Sequence, residues 1–189
     1  MFGLLLLFGV IYLVWQFGFQ QQKAAQQETK LRSSAKIIKE EAKNMKILSS
    51  AFEHNQKIPA KYTCVGAGVN PPLQFLEVPK EAKSLALIVD DPDAPNGDWV
   101  HWVVFNMEPQ TLGIEENRKP TNGVESMTSF GKPGFGAPCP PSGTHRYFFK
   151  LYALDKMLDL IAIVDKKEVE DAMQGHILEQ AELIGLFSK

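Results

Sequence analysis

Two cysteines in 189 residues are too few for a disulfide scaffold and too few for a four-cysteine zinc site. An excess of one charge is missing as well. The chain carries 20 Lys+Arg against 22 Asp+Glu, so it has no electrostatic case for a nucleic-acid partner, which would call for a strongly basic face. No internal repeat is present, and no low-complexity tract follows residue 44. At 44% hydrophobic and 22% charged residues, the composition excludes a disordered or collagen-like chain. What remains is one globular domain of ordinary size with a short appendage.

The appendage stands out by charge and by hydropathy. Residues 1–44 hold six basic and three acidic side chains, whereas the remainder is net acidic, which marks a boundary near Asn44. Phe2 to Phe19 is an 18-residue run with no charged side chain and one polar amide, Gln16. As a helix it reaches ~27 Å, close to the ~30 Å hydrocarbon core of a bilayer. Tyr12 and Trp15 lie in its C-terminal half, where aromatic residues settle at the interface. A cleaved signal peptide is the rival reading, but no Lys or Arg precedes the run and Lys23-Ala24-Ala25 is a poor cleavage site. The expectation is an uncleaved anchor helix over residues 1–19 in a single-pass membrane protein. Residues 20–44, rich in Gln, Ala, Lys and Glu, predict a solvated helical stalk. Lys23, Lys30, Arg32 and Lys36 follow the span, which under the positive-inside rule places the globular part in the cytoplasm.

Residues 45–189 have mostly strand-like patterning. Leu85–Val89, Trp99–Phe105 and Tyr147–Ala153 are apolar, aromatic and β-branched runs that predict sheet strands. Twelve prolines punctuate them, and Asn96-Gly97 signals a tight turn. Helical spacing is confined to Lys166 through about Gln180, with Val169, Met173 and Ile177 on one face. Ala181–Phe187 closes the chain as a strand. The class is mostly β with minor helix.

Two proline-rich clusters hold the side chains able to do chemistry. The first runs from Asp90 to Pro95 and continues, after the turn, into Trp99-Val100-His101-Trp102; the second runs from Pro138 to Tyr147. Proline-rich loops lose little entropy when they hold side chains around a ligand. On a strand His145 and Tyr147 face the same side, and Arg146 faces the other, toward an acidic partner. Each residue also has a plain structural reading: Asp91 and Asp93 as turn caps, His101 as a satisfied core histidine. Cys64 and Cys139 fall in loops and fit either free thiols or a disulfide. His54 and His176 lack a local partner motif and are surface or structural residues.

The same residues carry a family resemblance. Asp91-Pro92-Asp93-Ala94-Pro95 with His101-Trp102, and Pro138-Cys139-Pro140-Pro141 continuing through Gly143-Thr144-His145-Arg146-Tyr147 to Asp155, closely resemble the phosphatidylethanolamine-binding protein family. That family is also called Raf kinase inhibitor-like, and its bacterial and archaeal branch is the nearest match. Supporting pieces are Tyr62-Thr63-Cys64, Asn70-Pro71-Pro72-Leu73, Ser129-Phe130-Gly131 and the tail from Gly175-His176 to Gly185, so the resemblance spans roughly residues 46–187. It implies a large antiparallel sheet, a smaller second sheet and peripheral helices, here preceded by the hydrophobic helix. It also implies a small anion pocket lined by Asp91, Asp93, His101, His145 and Tyr147, walled by Pro138, Cys139, Pro140, Pro141 and Gly143, with Trp102 beside them. Members hold phosphate-type head groups there and act as kinase or protease inhibitors or signalling regulators. This chain departs from the common pattern at Phe75 in place of tryptophan, Phe135 in place of tyrosine and Ala137 in place of glycine.

Three classes of function compete on these residues. The favoured one is a non-enzymatic binding module for a small anionic or phosphorylated ligand, with a kinase or protease as a possible protein target and no cofactor. A hydrolase would use Cys139 or Ser142 with His145, but no nucleophile elbow is present and Pro138 and Pro140 remove backbone donors around Cys139. A zinc site would use the two Asp and two His, but no short His-x-x-x-His element is present.

Overall fold

A computed structural model describes residues 19–23, 25–34 and 44–189. The chain divides after Lys43 into two units. In the first, residues 19–23 and 25–34 are helical, with Arg32 paired to Glu28 one turn earlier at 2.7 Å. The expected anchor helix over 1–19 lies outside the described residues apart from Phe19, as do residue 24 and residues 35–43 of the expected stalk. Among the described residues no helix is long and apolar enough to cross a membrane.

The second unit holds two sheets. A three-stranded sheet joins β1 (Lys46–Leu48), β3 (Leu73–Leu76) and β6 (Gly113–Ile114) in the order β1-β3-β6. A six-stranded sheet contains β2 (Gln56–Lys57), β4 (Ser84–Asp91), β5 (Trp99–Met107), β7 (Val124–Glu125), β8 (Thr144–Leu154) and β9 (Ile177–Ser188). Its order is β2-β9-β8-β4-β5-β7, antiparallel throughout except for the short β2–β9 pair. Every residue of β4 is buried, as expected of a strand covered on both faces.

Side chains of β4 alternate between two cores. Leu85, Leu87 and Val89 join Trp102, Val104, Phe149 and Leu151 in the layer between the sheets, completed by Ile47, Leu73 and Phe75. Ala86 and Ile88 join Val103 and Phe105 on the other face, where Val169 and Met173 of helix α1 (Lys166–Met173) cover them. Asp165 caps α1 in a reciprocal capping box with Glu168.

The predicted strands are present and extend further than the apolar runs alone. The helix is a correction: it ends at Met173, seven residues short of the expected Gln180. Gly175 takes φ +76°, a reversal glycine makes without steric cost, and Ile177 then pairs with Leu154 of β8. Sheet pairing along β9 overrides the helical spacing of Ile177.

Candidate ligand pocket

Strands β4, β5 and β8 bring the two proline-rich clusters to one end of the large sheet, around a cavity of about 430 Å³. Asp91, the last residue of β4, is the pivot. Its Oδ1 accepts the backbone N–H of Asp93 at 2.9 Å, the turn-capping bond foreseen for such a residue, and its Oδ2 meets Nδ1 of His145 at 2.7 Å. Both residues are buried, at 3% and 7% exposure. The carboxylate therefore does two jobs at once: it shapes the turn and it orients an imidazole.

His101 arrives by an irregularity. Val89 pairs with Trp102 and Asp90 with Val100, so His101 is an extra residue on β5. A bulge of this kind turns a side chain out of strict alternation, and here it aims the ring at Tyr147, 5.2 Å away centre to centre. Nδ1 of His101 bonds the carbonyl oxygen of Gly136 at 2.7 Å, while the amide of Gly136 donates to the carbonyl of His101 at 2.8 Å. Burial pushes the His101 pKa down, against the opposing pull of the Gly136 carbonyl and of Asp91.

Tyr147 lies beside His145 on the inner face of β8, fully buried; its hydroxyl makes no hydrogen bond of ordinary geometry, although the Asp91 carboxylate lies close enough to act on it. Burial raises its pKa, and the Asp91 and Asp93 charges act in the same direction, so the hydroxyl stays protonated over the whole physiological range.

Arg146 faces the opposite way, as expected, and its partner is Asp93. The guanidinium grips that carboxylate with two bonds of 2.9 and 2.7 Å, and the Arg146 amide adds a third at 3.0 Å. These bonds bring the Asp93 pKa down to about 2, against a smaller upward push from burial. Asp93 thus braces the turn and does not line the cavity. Pro138 and Gly143 also lie outside the lining, whereas Cys139, Pro140 and Pro141 form part of it. Trp102 lies elsewhere too: its Nε1 donates to Glu125 at 2.9 Å, and its ring meets Phe135 edge-on and borders a separate cleft. The same packing takes Phe135 away from the cavity.

Ala94, Pro95 and Trp99 of the first cluster form the mouth together with Asn96 and Phe130, which the sequence patterning does not assign to the site; the Trp99 and Phe130 rings meet edge to face at 5.7 Å and Phe130 is edge-on to His101 at 5.5 Å. The signal for Phe130 is Gly136: a Cβ there would sit 2.1 Å from the Phe130 ring, so glycine permits the approach. Cys64 and Cys139 are joined in a disulfide with Cα atoms 5.4 Å apart, and the Cys64 amide donates to the carbonyl of Pro138 at 3.0 Å. The loop wall is thereby tied to the short 3-10 turn Ala60–Tyr62, and no thiol remains at Cys139. Among the described residues no group of three or more His, Cys, Asp or Glu side chains is placed to hold a metal ion. His176 bonds the Asp155 carboxylate at the surface, and His54 accepts the amide of Ile184; neither reaches the cavity.

Comparison with known proteins places these features in context. A family model described as phosphatidylethanolamine-binding protein matches residues 48–188. A UPF0098 protein of Methanothermobacter thermautotrophicus is 50% identical over 150 residues, covering 77% of this chain and 99% of that one. A UPF0098 protein of Chlamydia pneumoniae is 45% identical with the same coverage. Among solved structures, a phosphatidylethanolamine-binding protein homologue from Chlamydia trachomatis superposes with TM-score 0.75 at 43% identity, over 78% of this chain and 99% of that one. An E. coli protein described as a member of the mammalian family superposes with TM-score 0.72 at 26% identity, over 77% of this chain and 99% of that one.

Proposed function

The chain belongs to the phosphatidylethanolamine-binding protein family, and on that premise we propose that its domain is a non-enzymatic binding module for a small phosphate-type anion, tethered to a membrane through residues 2–19. One observation carries the binding reading. At the floor of the cavity a tyrosine hydroxyl is buried with no partner, beside two imidazoles whose other nitrogens are already engaged. Buried polar groups are normally satisfied, so these atoms are arranged for a ligand. The hydrolase alternative loses ground, because the sulfur of Cys139 is committed to the disulfide and a nucleophile would have to come from elsewhere. Inhibition of a kinase or protease partner enters this reading through the family resemblance alone.

Titration calorimetry of phosphoethanolamine on the full-length chain in detergent, at pH 6.5, tests the site. His145→Ala removes one charge-assisted contact of roughly 1.5–3 kcal/mol, so binding should weaken on the order of 10–100-fold. Equal affinity in the variant would place the ligand elsewhere. The tether is tested separately by alkaline carbonate extraction of cell membranes. Retention in the pellet supports it, and recovery in the soluble fraction rejects it.

A further inference from the structure

Neither cavity histidine, in its neutral form, offers a donor to a ligand. A carbonyl only accepts, so the His101 Nδ1 bonded to Gly136 carries the ring proton. A carboxylate likewise accepts, so the His145 Nδ1 bonded to Asp91 carries its proton. Each neutral ring therefore presents a bare Nε2 lone pair, and among the described residues no hydrogen bond engages either Nε2. The Tyr147 hydroxyl is then the one side-chain donor at the floor.

Positive charge is absent from the lining, which includes no lysine or arginine. Arg146 is turned outward onto Asp93. Lys150 and Lys166 are held by Asp90. At the floor a fully ionised oxyanion meets the Asp91 carboxylate and two lone pairs against the Tyr147 hydroxyl, while the other side-chain donors of the lining, Asn96 and Trp99, lie at the mouth. At short range in a partly desolvated site that arrangement is repulsive.

A single proton reverses the balance. Placed on Nε2 of His145, it makes an imidazolium that pairs with Asp91 through Nδ1 and donates to the anion through Nε2. Placed on the anion, it makes an O–H that donates to the same lone pair. Resting on the anion-pocket reading above, we infer that the cavity takes up a phosphate-type oxyanion together with one proton, shared between the anion and Nε2 of His145. The charged and titratable groups around His145 are Asp91 at the end of β4, Asp93 in the following turn, and Arg146 and Tyr147 on β8, with His101 of β5 packed against Tyr147. Arg146 and Asp93 neutralise each other, which leaves Asp91 as the unbalanced charge. His101 is the poorer seat for the proton, since its Nδ1 faces a neutral carbonyl and the ring is buried.

The proton comes from solvent whenever ligand and imidazole both arrive without it. A phosphate monoester has a second pKa near ~6, so at pH ~8 the ligand arrives without the proton and the uptake is visible. Affinity should then fall by up to roughly tenfold per pH unit above neutrality, as linkage requires for one bound proton.

The test is calorimetry of methyl phosphate on the full-length chain in detergent at pH 8, in two phosphate-free buffers of different ionisation heat. The difference in observed heat counts protons. We expect uptake of about one proton per ligand bound, with the same affinity in both buffers. Binding with equal heat in both buffers would overturn the inference while leaving the anion pocket standing. Absence of binding at pH 6 as well as pH 8 would reject the pocket reading itself, and the inference with it. Ethylamine supplies the opposite control: an ammonium donates directly to bare lone pairs, and tighter binding of ethylamine than of methyl phosphate at pH 8 would show that the floor is built for a cation.

Discussion

Asp90 and Asp91 are neighbours in the chain, yet their buried carboxylates act on opposite faces of the large sheet. Asp91 turns toward the cavity and holds His145 at 2.7 Å. Asp90 turns toward α1 and takes Lys150 at 2.8 Å and Lys166 at 2.5 Å on one oxygen, while its other oxygen has no partner. Lys166 also reaches Asp98 in the turn and Glu170 one helical turn on. One dipeptide at the end of β4 therefore orients the pocket and pins the helix, and the two functions are separable by mutation.

Asp90→Ala should cost stability without costing ligand. It leaves Lys150 and Lys166, with side chains 27% and 15% exposed, without their shared counter-ion. Breaking a buried pair by removing one partner costs about 3 kcal/mol, a fall in Tm of roughly 6–12 °C for a domain of this size. Differential scanning calorimetry measures the first effect. Phosphoethanolamine affinity close to wild type measures the second, and its loss would show that the two faces are coupled.

Tyr147→Phe should show the reverse pattern. The hydroxyl is buried and makes no hydrogen bond of ordinary geometry within the protein, so its removal relieves a desolvated group and leaves thermal stability unchanged or slightly raised. A ligand loses one neutral hydrogen bond, roughly 0.5–1.5 kcal/mol, or about 2–12-fold in Kd. A large drop in Tm would mean that the hydroxyl has a structural partner in solution.

The Asp93–Arg146 pair gives a signature in acid. Asp93 is held down to about pKa 2, chiefly by the Arg146 side-chain bonds, below the ~3.9 of an unfolded aspartate. Its stabilising contribution is thus fully present above about pH 4 and is lost as pH falls through about 2. In Arg146→Gln the carboxyl should titrate near ~3.9 by carbon NMR. An unmoved Asp93 midpoint would assign the depression to another group.

Reduction of Cys64–Cys139 should weaken binding as well as stability. The bridge closes a separation of 75 residues, worth about 4 kcal/mol in the chain-entropy picture. Around Cys139 the prolines at 138, 140 and 141 have no amide to anchor the wall in its place. Cys64→Ser with Cys139→Ser should lower Tm on the order of 10 °C and raise the Kd for phosphoethanolamine. An unchanged Kd would show that the Gly136–His101 bonds alone hold the wall. The bridge also bears on topology, because disulfides persist in oxidising compartments, whereas the basic residues after the apolar run favour the cytoplasm. We predict that the disulfide decides: protease added to intact cells should digest the domain, and protection would favour the basic flank.

Much of the site was legible because strand periodicity is a local property. Placing His145 and Tyr147 on one side of β8 and Arg146 on the other needs only the two-residue repeat of the pleat, and the acidic-Pro and Pro-Cys-Pro-Pro runs mark the loops beside it. The apolar runs of β4, β5 and β8 likewise announce strands, since β-branched and aromatic side chains fit a pleated, buried surface. Local periodicity does not carry long-range register. Whether His101 points with Trp102 or against it depends on the bulge opposite Val89 and Asp90, a pairing between strands. Whether Asp93 lines the cavity or braces it depends on where Arg146 arrives from residues away along another strand. Trp102 satisfies its indole on Glu125, and Phe130 reaches the mouth through the gap at Gly136. Ile177 leaves the helix because β8 offers it backbone partners that α1 cannot. In each case the deciding energy comes from groups distant in sequence, so the amino-acid order supplied the chemical groups and the packed sheets chose which of them meet.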